Sequence, residues 1–357
     1  MLKPDFCERT INRRSFLKTS GILGAGMVLS AALPLSEAVA FGRGRYRVTR
    51  THLMMGTFAA ITVIGPSRDQ ADDAISLAFD EMQRAARLFD RYQDASPIGI
   101  LNREGRAADL DPEVIALLER SLRLNAVTRG AFDITVKPVV DLYQHTFESQ
   151  QAPPTDAQIA GVLDLVDPGA VRIQGRTVRF AKEGMGVTLD GIAKGYAIDC
   201  GMEALKSRGI EHALINAGGD IRTIGGRGRH RPWRVAVQNP DREGPALQTF
   251  TMQDGAAATS GNYEVYFDKE KVYHHLIHPA SARPAQESRS VTVLAADAIL
   301  ADALSTAVFV AGPKDGKGLM EVLSGAECLI MTAGGAHVSS SRWPSAGGLF
   351  KTASTSS

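Results

Sequence analysis

Cysteine is scarce: the 357 residues hold three, Cys7, Cys200 and Cys328. No Cys-x-x-Cys pair and no Cys/His cluster at zinc spacing occurs, which argues against a thiolate-held metal. Net charge is equally scarce, with 40 Lys and Arg against 39 Asp and Glu and a formal balance of +1. The chain therefore lacks the basic excess that nucleic-acid binding draws on. Its one basic, glycine-rich stretch, residues 225–231, has no interleaved aromatic residues and reads as a solvated hairpin loop. Beyond residue 40 no apolar run is long enough to cross a bilayer, no repeat recurs, and no linker divides the chain.

The first forty residues read as a leader rather than as part of the fold. Asn12-Arg13-Arg14-Ser15-Phe16-Leu17-Lys18 precedes a short Gly/Ala-rich apolar run over 21–35, and Ala38-Val39-Ala40 supplies a small–x–small cleavage site. Paired arginines ahead of S-F-L-K closely resemble a twin-arginine export signal, a chance pair before a Sec signal or anchor being the other reading. The expectation is a periplasmic protein exported by that route, with the leader cleaved or kept as an N-terminal anchor. Cys7 leaves with the leader; pairing of Cys200 with Cys328 stays open, since export permits a disulfide but nothing places the two together. The Ser-rich segment 341–357 reads as a disordered tail.

Between these ends the pattern is α+β. A β-branched run over 53–64 predicts a strand, and apolar residues at helical spacing over 70–92 predict an amphipathic helix. Asp111-Pro112-Glu113 opens a helix that Gly130 ends. Gly130 to Val136 predicts a turn entering an extended segment, and 150–154 a Pro-containing loop. Short strands follow at 171–173 and 177–180. Later strands are expected at 213–221, 233–237, 247–252, 256–259, 263–267, 273–277, 290–294 and 328–332, with helices over 298–310 and from Pro313 to Gly325. The sum is one large domain of mixed and antiparallel sheets packed with helices, in one or two lobes.

The most pointed stretch is V-T-L-D-G-I-A-K-G-Y-A-I-D, 187–199. It predicts a buried strand tip ending at Leu189, Asp190 as helix cap, and Gly191 and Gly195 clearing space where the helix opens. Open amides at a helix start attract anions, and Lys194 adds a positive charge in the first turn. A tight corner whose glycines serve packing alone is the other reading.

Asp302 and Thr306 stand four apart in an otherwise apolar helix, hence on one buried face. A buried carboxylate needs a positive partner. Either a hard cation shared with phosphate meets it, with Thr306 as a second oxygen ligand, or an ion pair to Lys194 or an arginine does. In Y-H-H-L-I-H-P a strand would put His274 and His278 on one face and His275 with Ile277 on the other, which favours a single histidine base over a metal cluster. Asn216 and Asp220, flanking Gly218-Gly219, form a polar tight turn.

Together M-G-T (55–57), G-A-F-D-I-T-V (130–136), G-I-A-K-G-Y-A-I-D (191–199), N-A-G-G-D-I (216–221), W-R-V-A-V-Q-N-P (233–240), T-S-G-N-Y (259–263), H-H-L-I-H-P (274–279) and L-A-D-A-L-S-T-A (300–307) resemble the ApbE-type FAD:protein FMN transferases, in the family order. The likeness runs from Thr51 to Ala336, an ApbE-like domain within 41–340. It implies a Mg²⁺-dependent enzyme that splits FAD and attaches FMN through a phosphoester to a Thr or Ser of an exported or membrane redox protein, releasing AMP. It further implies Mg²⁺ held by Gly191, Asp302 and Thr306, and His275 activating the acceptor hydroxyl. Met55, Tyr92, Ala131, Phe132, Asp133, Thr188, Lys194 and Ile277 match FAD-lining positions. The usual D-L-G-G is Thr188-Leu189-Asp190-Gly191 here, the usual aspartate after the histidine–Ile pair is His278, and the usual T-G is Ser281-Ala282. T-L-x-G-I-A and the paired histidines look like the accessory flavin transferases of nitrous oxide respiration. A FAD pyrophosphatase and a flavin-delivery protein are the competing readings.

Overall fold

The computed structural model describes residues 36–40, 44–228, 231–240 and 245–350. Nine strands form the main sheet: β1 (Ser36–Ala40), β2 (Tyr46–Met54), β3 (Thr57–Gly65), β4 (Ala213–Ala217), β5 (Asp220–Ile224), β6 (Ala256–Gly261), β7 (Ser288–Ala295), β8 (Glu327–Thr332) and β9 (His337–Ser339). They lie side by side in chain order and every neighbouring pair is antiparallel. The expected leader falls on residues outside the described ones, apart from its last five, which form edge strand β1.

The single strand expected over 53–64 is instead a hairpin. Met54 faces Thr57 across a two-residue turn in which Met55 and Gly56 both take left-handed φ, 49° and 69°. Such turns match the twist of the strands they join. A second hairpin replaces the strand expected over 213–221, with Gly218-Gly219 as its turn.

Seven helices are seen among the described residues: α1 (Arg68–Phe89), α2 (Pro97–Glu104), α3 (Pro112–Val127), α4 (Lys137–Gln150), α5 (Asp156–Leu163), α6 (Ala193–Ser207) and α7 (Ala298–Val322), the last broken at Gly312. α1 starts where the Ser67 side chain accepts the Gln70 amide, and buries Ala71, Ala74, Ile75, Ala78, Phe79, Met82, Ala85 and Phe89 along one face. With α6 and α7 it covers one face of the sheet in a continuous core. The other face carries a small sheet of Trp233–Val237, Gln248–Met252 and Leu349–Phe350.

Residues 341–350, expected as disordered tail, are ordered. Phe350 pairs with Met252 and is buried against Val235, Phe250 and Leu329. Burying that ring contributes roughly 2–3 kcal/mol, more than a polar Ser-rich composition suggests.

Between β3 and β4 the chain builds a second lobe, with α1 leading out and α6 leading back. It contains α2, α3 and a three-stranded sheet of Arg106–Ala107, Val171–Gln174 and Thr177–Phe180, around a separate core. α7 belongs to both cores: Ala301, Leu304 and Val308 face the main sheet, while Ile299, Ala303 and Ala307 face the second lobe. A smaller core joins α4 and α5 to Ile277 and Ala282. The extended segment expected after Gly130 is a 3-10 turn, Ile134–Val136, running into α4, with Pro138 in its first turn. Strands expected at 263–267 and 273–277 reduce to one bridge, Tyr266 to His274, and a short pair, Ile277–His278 with Arg283–Pro284. Val187 and Leu189 are buried, but the segment belongs to no strand.

Candidate active site

The two lobes meet where α6 begins and where α7 passes it. The approach is close because both glycines are needed: a Cβ on Gly191 would lie 2.9 Å from the Thr306 hydroxyl, and one on Gly195 only 2.3 Å from the Ala298 carbonyl oxygen. Asp302 is buried, and its Oδ2 accepts the Gly195 N–H at 2.9 Å. Asp302, Thr306 and the Gly191 turn thus lie together where α6 and α7 cross. Ser305 joins them: Ser260 Oγ stands 2.7 Å from its hydroxyl and 3.3 Å from that of Thr306.

Asp190 does not cap α6. The cap position is Ile192, and the Asp190 carboxylate turns away to accept from Arg91 Nε at 3.0 Å. Arg91, 5% exposed, also binds Asp141 at 3.0 Å and donates to the Tyr92 hydroxyl at 2.6 Å. Lys137 pairs with the same Asp141.

Of the two partners considered for Asp302, Lys194 makes its direct ion pair elsewhere, with the buried Asp220 at 3.1 Å. Burial alone would lower the Lys194 pKa, but the carboxylates of Asp220, Asp302 and Glu264 outweigh it and hold the ammonium above its usual value. Burial pushes the Asp302 carboxyl up to about 7, and nearby Asp220 adds to the rise. A single lysine thus stands between two buried acids. A cation beside Asp302 relieves that imbalance. Among the described residues no group of three or more His, Cys, Asp or Glu side chains is placed to hold a metal. The donors that do converge are a carboxylate, hydroxyls and backbone, a hard-oxygen set that suits Mg²⁺ shared with phosphate.

The histidine segment departs from strand alternation. His274 is buried, edge-on to Phe309 with ring centroids 5.6 Å apart, and burial drops its pKa to about 4. His278 is exposed. His275 is partly exposed, and the Val265 carbonyl accepts its backbone N–H at 3.2 Å and lies 3.0 Å from its Nδ1. A carbonyl only accepts, so Nδ1 carries the proton and Nε2 keeps its lone pair. Burial lowers the His275 pKa from the usual histidine value, so the ring is neutral at neutral pH.

The flavin-assigned residues come from both lobes. The Thr188 N–H donates to the Ile134 carbonyl at 2.8 Å, and Val187 and Leu189 share a core with Ala131, Phe132 and Ile134. Asp133 accepts from the Thr135 amide at 2.7 Å and hydroxyl at 2.5 Å, and from Asn125 at 3.2 Å. Tyr92 is exposed, stacked under the Arg91 guanidinium. Met55 sits on the hairpin tip beside the Gly218 turn, whose N–H donates to the Phe58 carbonyl at 3.1 Å. Ile277 is different: its side chain is buried with Val136, Val139 and Tyr143. A cavity of about 430 Å³ lies beyond it, between Tyr143, Tyr273, His278, Arg283 and Phe309, and none of the assigned flavin or metal residues lines it.

Sequence reasoning took Asp220 only as part of a polar turn, able to approach a ligand or merely structural, and passed over Arg91, Asp141 and Ser305. Asp220 carried a signal, the N-A-G-G-D motif, and Ser305 lies within L-A-D-A-L-S-T-A; Arg91 and Asp141 follow from tertiary proximity alone.

An α+β fold that brings a carboxylate, hydroxyls and a lysine to a glycine corner makes a hard-oxygen site with a fixed positive charge beside it. The ApbE family profile matches residues 55–330, and the chain belongs to the ApbE family. It is 31% identical over 312 residues to a FAD:protein FMN transferase of Rhodobacter capsulatus, covering 85% of this chain and 58% of that one. A Vibrio cholerae FAD:protein FMN transferase is 33% identical over 58% of this chain and 64% of its own length. The match thus spans under two thirds of these two relatives. A Treponema pallidum FAD:protein FMN transferase is 30% identical over 81% of this chain and 86% of its own. Among solved structures, the ApbE protein of Thermotoga maritima superposes with a TM-score of 0.74 at 32% identity, covering 83% of this chain and 97% of that one. The flavin transferase ApbE of Vibrio cholerae gives 0.70 at 26% identity, covering 86% and 98%.

Proposed function

We propose that this chain is a Mg²⁺-dependent FAD:protein FMN transferase. It binds FAD, moves the FMN phosphoryl group to a Thr or Ser hydroxyl of an exported or membrane redox protein, and releases AMP. The observation that carries this reading is the convergence of Asp302, Thr306 and the Gly191 turn beside Lys194, in a chain of the ApbE family.

Bound Mg²⁺ would neutralise the diphosphate oxygens and the charge that develops on them. The residues divide the remaining work. His275, neutral and with Nε2 free, accepts the proton of the acceptor hydroxyl as its oxygen bonds to the FMN phosphorus. The bond from that phosphorus to the bridging oxygen breaks, and the electron pair leaves with AMP. Lys194, held by Asp220, places a fixed positive charge beside the reacting phosphates. The twin-arginine motif supports export and work in the periplasm, where such acceptors lie.

The test is intact-mass analysis of candidate acceptor proteins incubated with the purified chain, FAD and Mg²⁺. One added FMN per acceptor, with AMP formed in equal amount, is the expected outcome. Rapid FMN and AMP release without any acceptor would instead mark a pyrophosphatase, and tight FAD binding without turnover a delivery protein.

A further inference from the structure

α6 and α7 hold each other by their ends. Asp302, on α7, accepts the Gly195 N–H in the first turn of α6. Asp199, four residues further along α6, answers from the other side: its Oδ1 accepts the Ala298 N–H at 3.1 Å and its Oδ2 the Ile299 N–H at 3.0 Å, both at the start of α7. Between the two carboxylates, Gly195 is pressed against the Ala298 carbonyl with no room for a side chain. Arg222 on β5 binds Asp199 through Nε at 3.2 Å and ties the pair to the main sheet.

This second carboxylate is more than α7 needs as a helix. Asp297 already caps it by accepting the Leu300 N–H at 2.7 Å. Asp199 is half-buried, and desolvation pushes its carboxyl up to about 6. What it adds is register between two helices, one bearing the glycine turn and Lys194, the other Asp302 and Thr306.

Resting on the reading of Asp302 and Thr306 as cation ligands, we propose that Asp199 is a positioning residue for the cation site, holding α7 where both ligands meet the Gly191 turn. It touches neither cation nor substrate, and acts through the amides of Ala298 and Ile299, four and three residues before Asp302 on the same helix.

Mn²⁺ serves as the probe, followed by electron paramagnetic resonance without FAD. Asp199→Asn keeps the shape but loses the charge and one acceptor oxygen. Mn²⁺ affinity is expected to fall about tenfold or more, as for other residues that orient a metal's ligands. The Mg²⁺ concentration for half-maximal FMN transfer should rise in step, while KM for FAD at saturating Mg²⁺ stays within about twofold. Should that variant melt, Ala298→Pro removes one of the two N–H donors at a helix position that tolerates proline, and weaker Mn²⁺ binding by the folded protein is again expected. Unchanged Mn²⁺ affinity in a folded Asp199→Asn or Ala298→Pro protein overturns the positioning role and leaves the transferase reading standing. No Mn²⁺ binding by the unaltered protein overturns both.

Discussion

Asp302 shows how one side chain serves two demands. One of its oxygens accepts an amide of α6, and the carboxyl, pushed up to about 7 by burial and Asp220, takes up a proton far more readily than an ordinary carboxylate as pH falls. A cation binds only the deprotonated form. Divalent-metal affinity should therefore climb as pH rises from 6 to 8, by up to about tenfold per unit below 7, and Mn²⁺ titrations across that range will read it. A flat profile would remove Asp302 from the ligand set. Asp302→Ala should abolish Mg²⁺-dependent transfer. His275→Ala should lower kcat by about a hundredfold or more with little change in FAD affinity, measured by flavin fluorescence. Its neighbour His274 should affect stability instead. With a folded pKa near 4 against an ordinary value of 6.5, the unfolded chain takes up the proton first as pH falls. The stability contributed by neutral His274 is present above pH 6.5 and lost as pH drops toward 4, roughly 3 kcal/mol in all. Urea denaturation of wild type and His274→Gln at pH 7 and pH 4.5 should show the two differing in slope with pH; parallel curves would disprove it.

Helices and strands were legible in proportion to the strength of their periodicity. α1 and α7 carry apolar residues every third or fourth position over several turns, so burial and spacing agree and both are plain in the sequence. α4 was not, because Ile134-Thr135-Val136 is β-branched and Pro138 reads as a break; yet proline in a first helical turn costs nothing, and the apolar face formed by Val139, Val140 and Tyr143 is short. The segment 273–277 alternates on paper but pairs only through the Tyr266–His274 bridge and at Ile277, so no long ladder forms and the Val265 carbonyl holds His275 by both its N–H and its ring. The site followed the same rule. Asp302, Thr306, Gly191 and Lys194 carry local signals, whereas the links from Lys194 to Asp220 and from Arg91 to Asp190 join distant positions that no spacing reveals. At this scale the tightest constraint is the α6–α7 contact. Gly195→Ala places a methyl against the Ala298 backbone, and a loss of about 1–3 kcal/mol or more is expected, visible as a drop in melting temperature.

At the scale of the molecule, two cores share α7, and a third on the far face of the sheet is closed by the chain's last described strand pairing. Truncation after Ser340 removes Trp343 and Phe350 from that third core and leaves Thr251 and Gln248 without their partners in residues 344–348. A stability loss of about 3–5 kcal/mol is expected from the aromatic burial alone, measured by chemical denaturation, with FAD binding unchanged. An unchanged midpoint would mean that the ordered tail contributes nothing. The excursion between β3 and β4 has a different consequence. The chain passes Arg91 as it departs and Asp190 as it comes home, and those two side chains grip each other at the neck. That bond closes a loop of nearly a hundred residues with one clasp placed next to Gly191. Any swing of the excursion about its stem would tug first on the Gly191 turn and, through it, on the approach of α6 to α7.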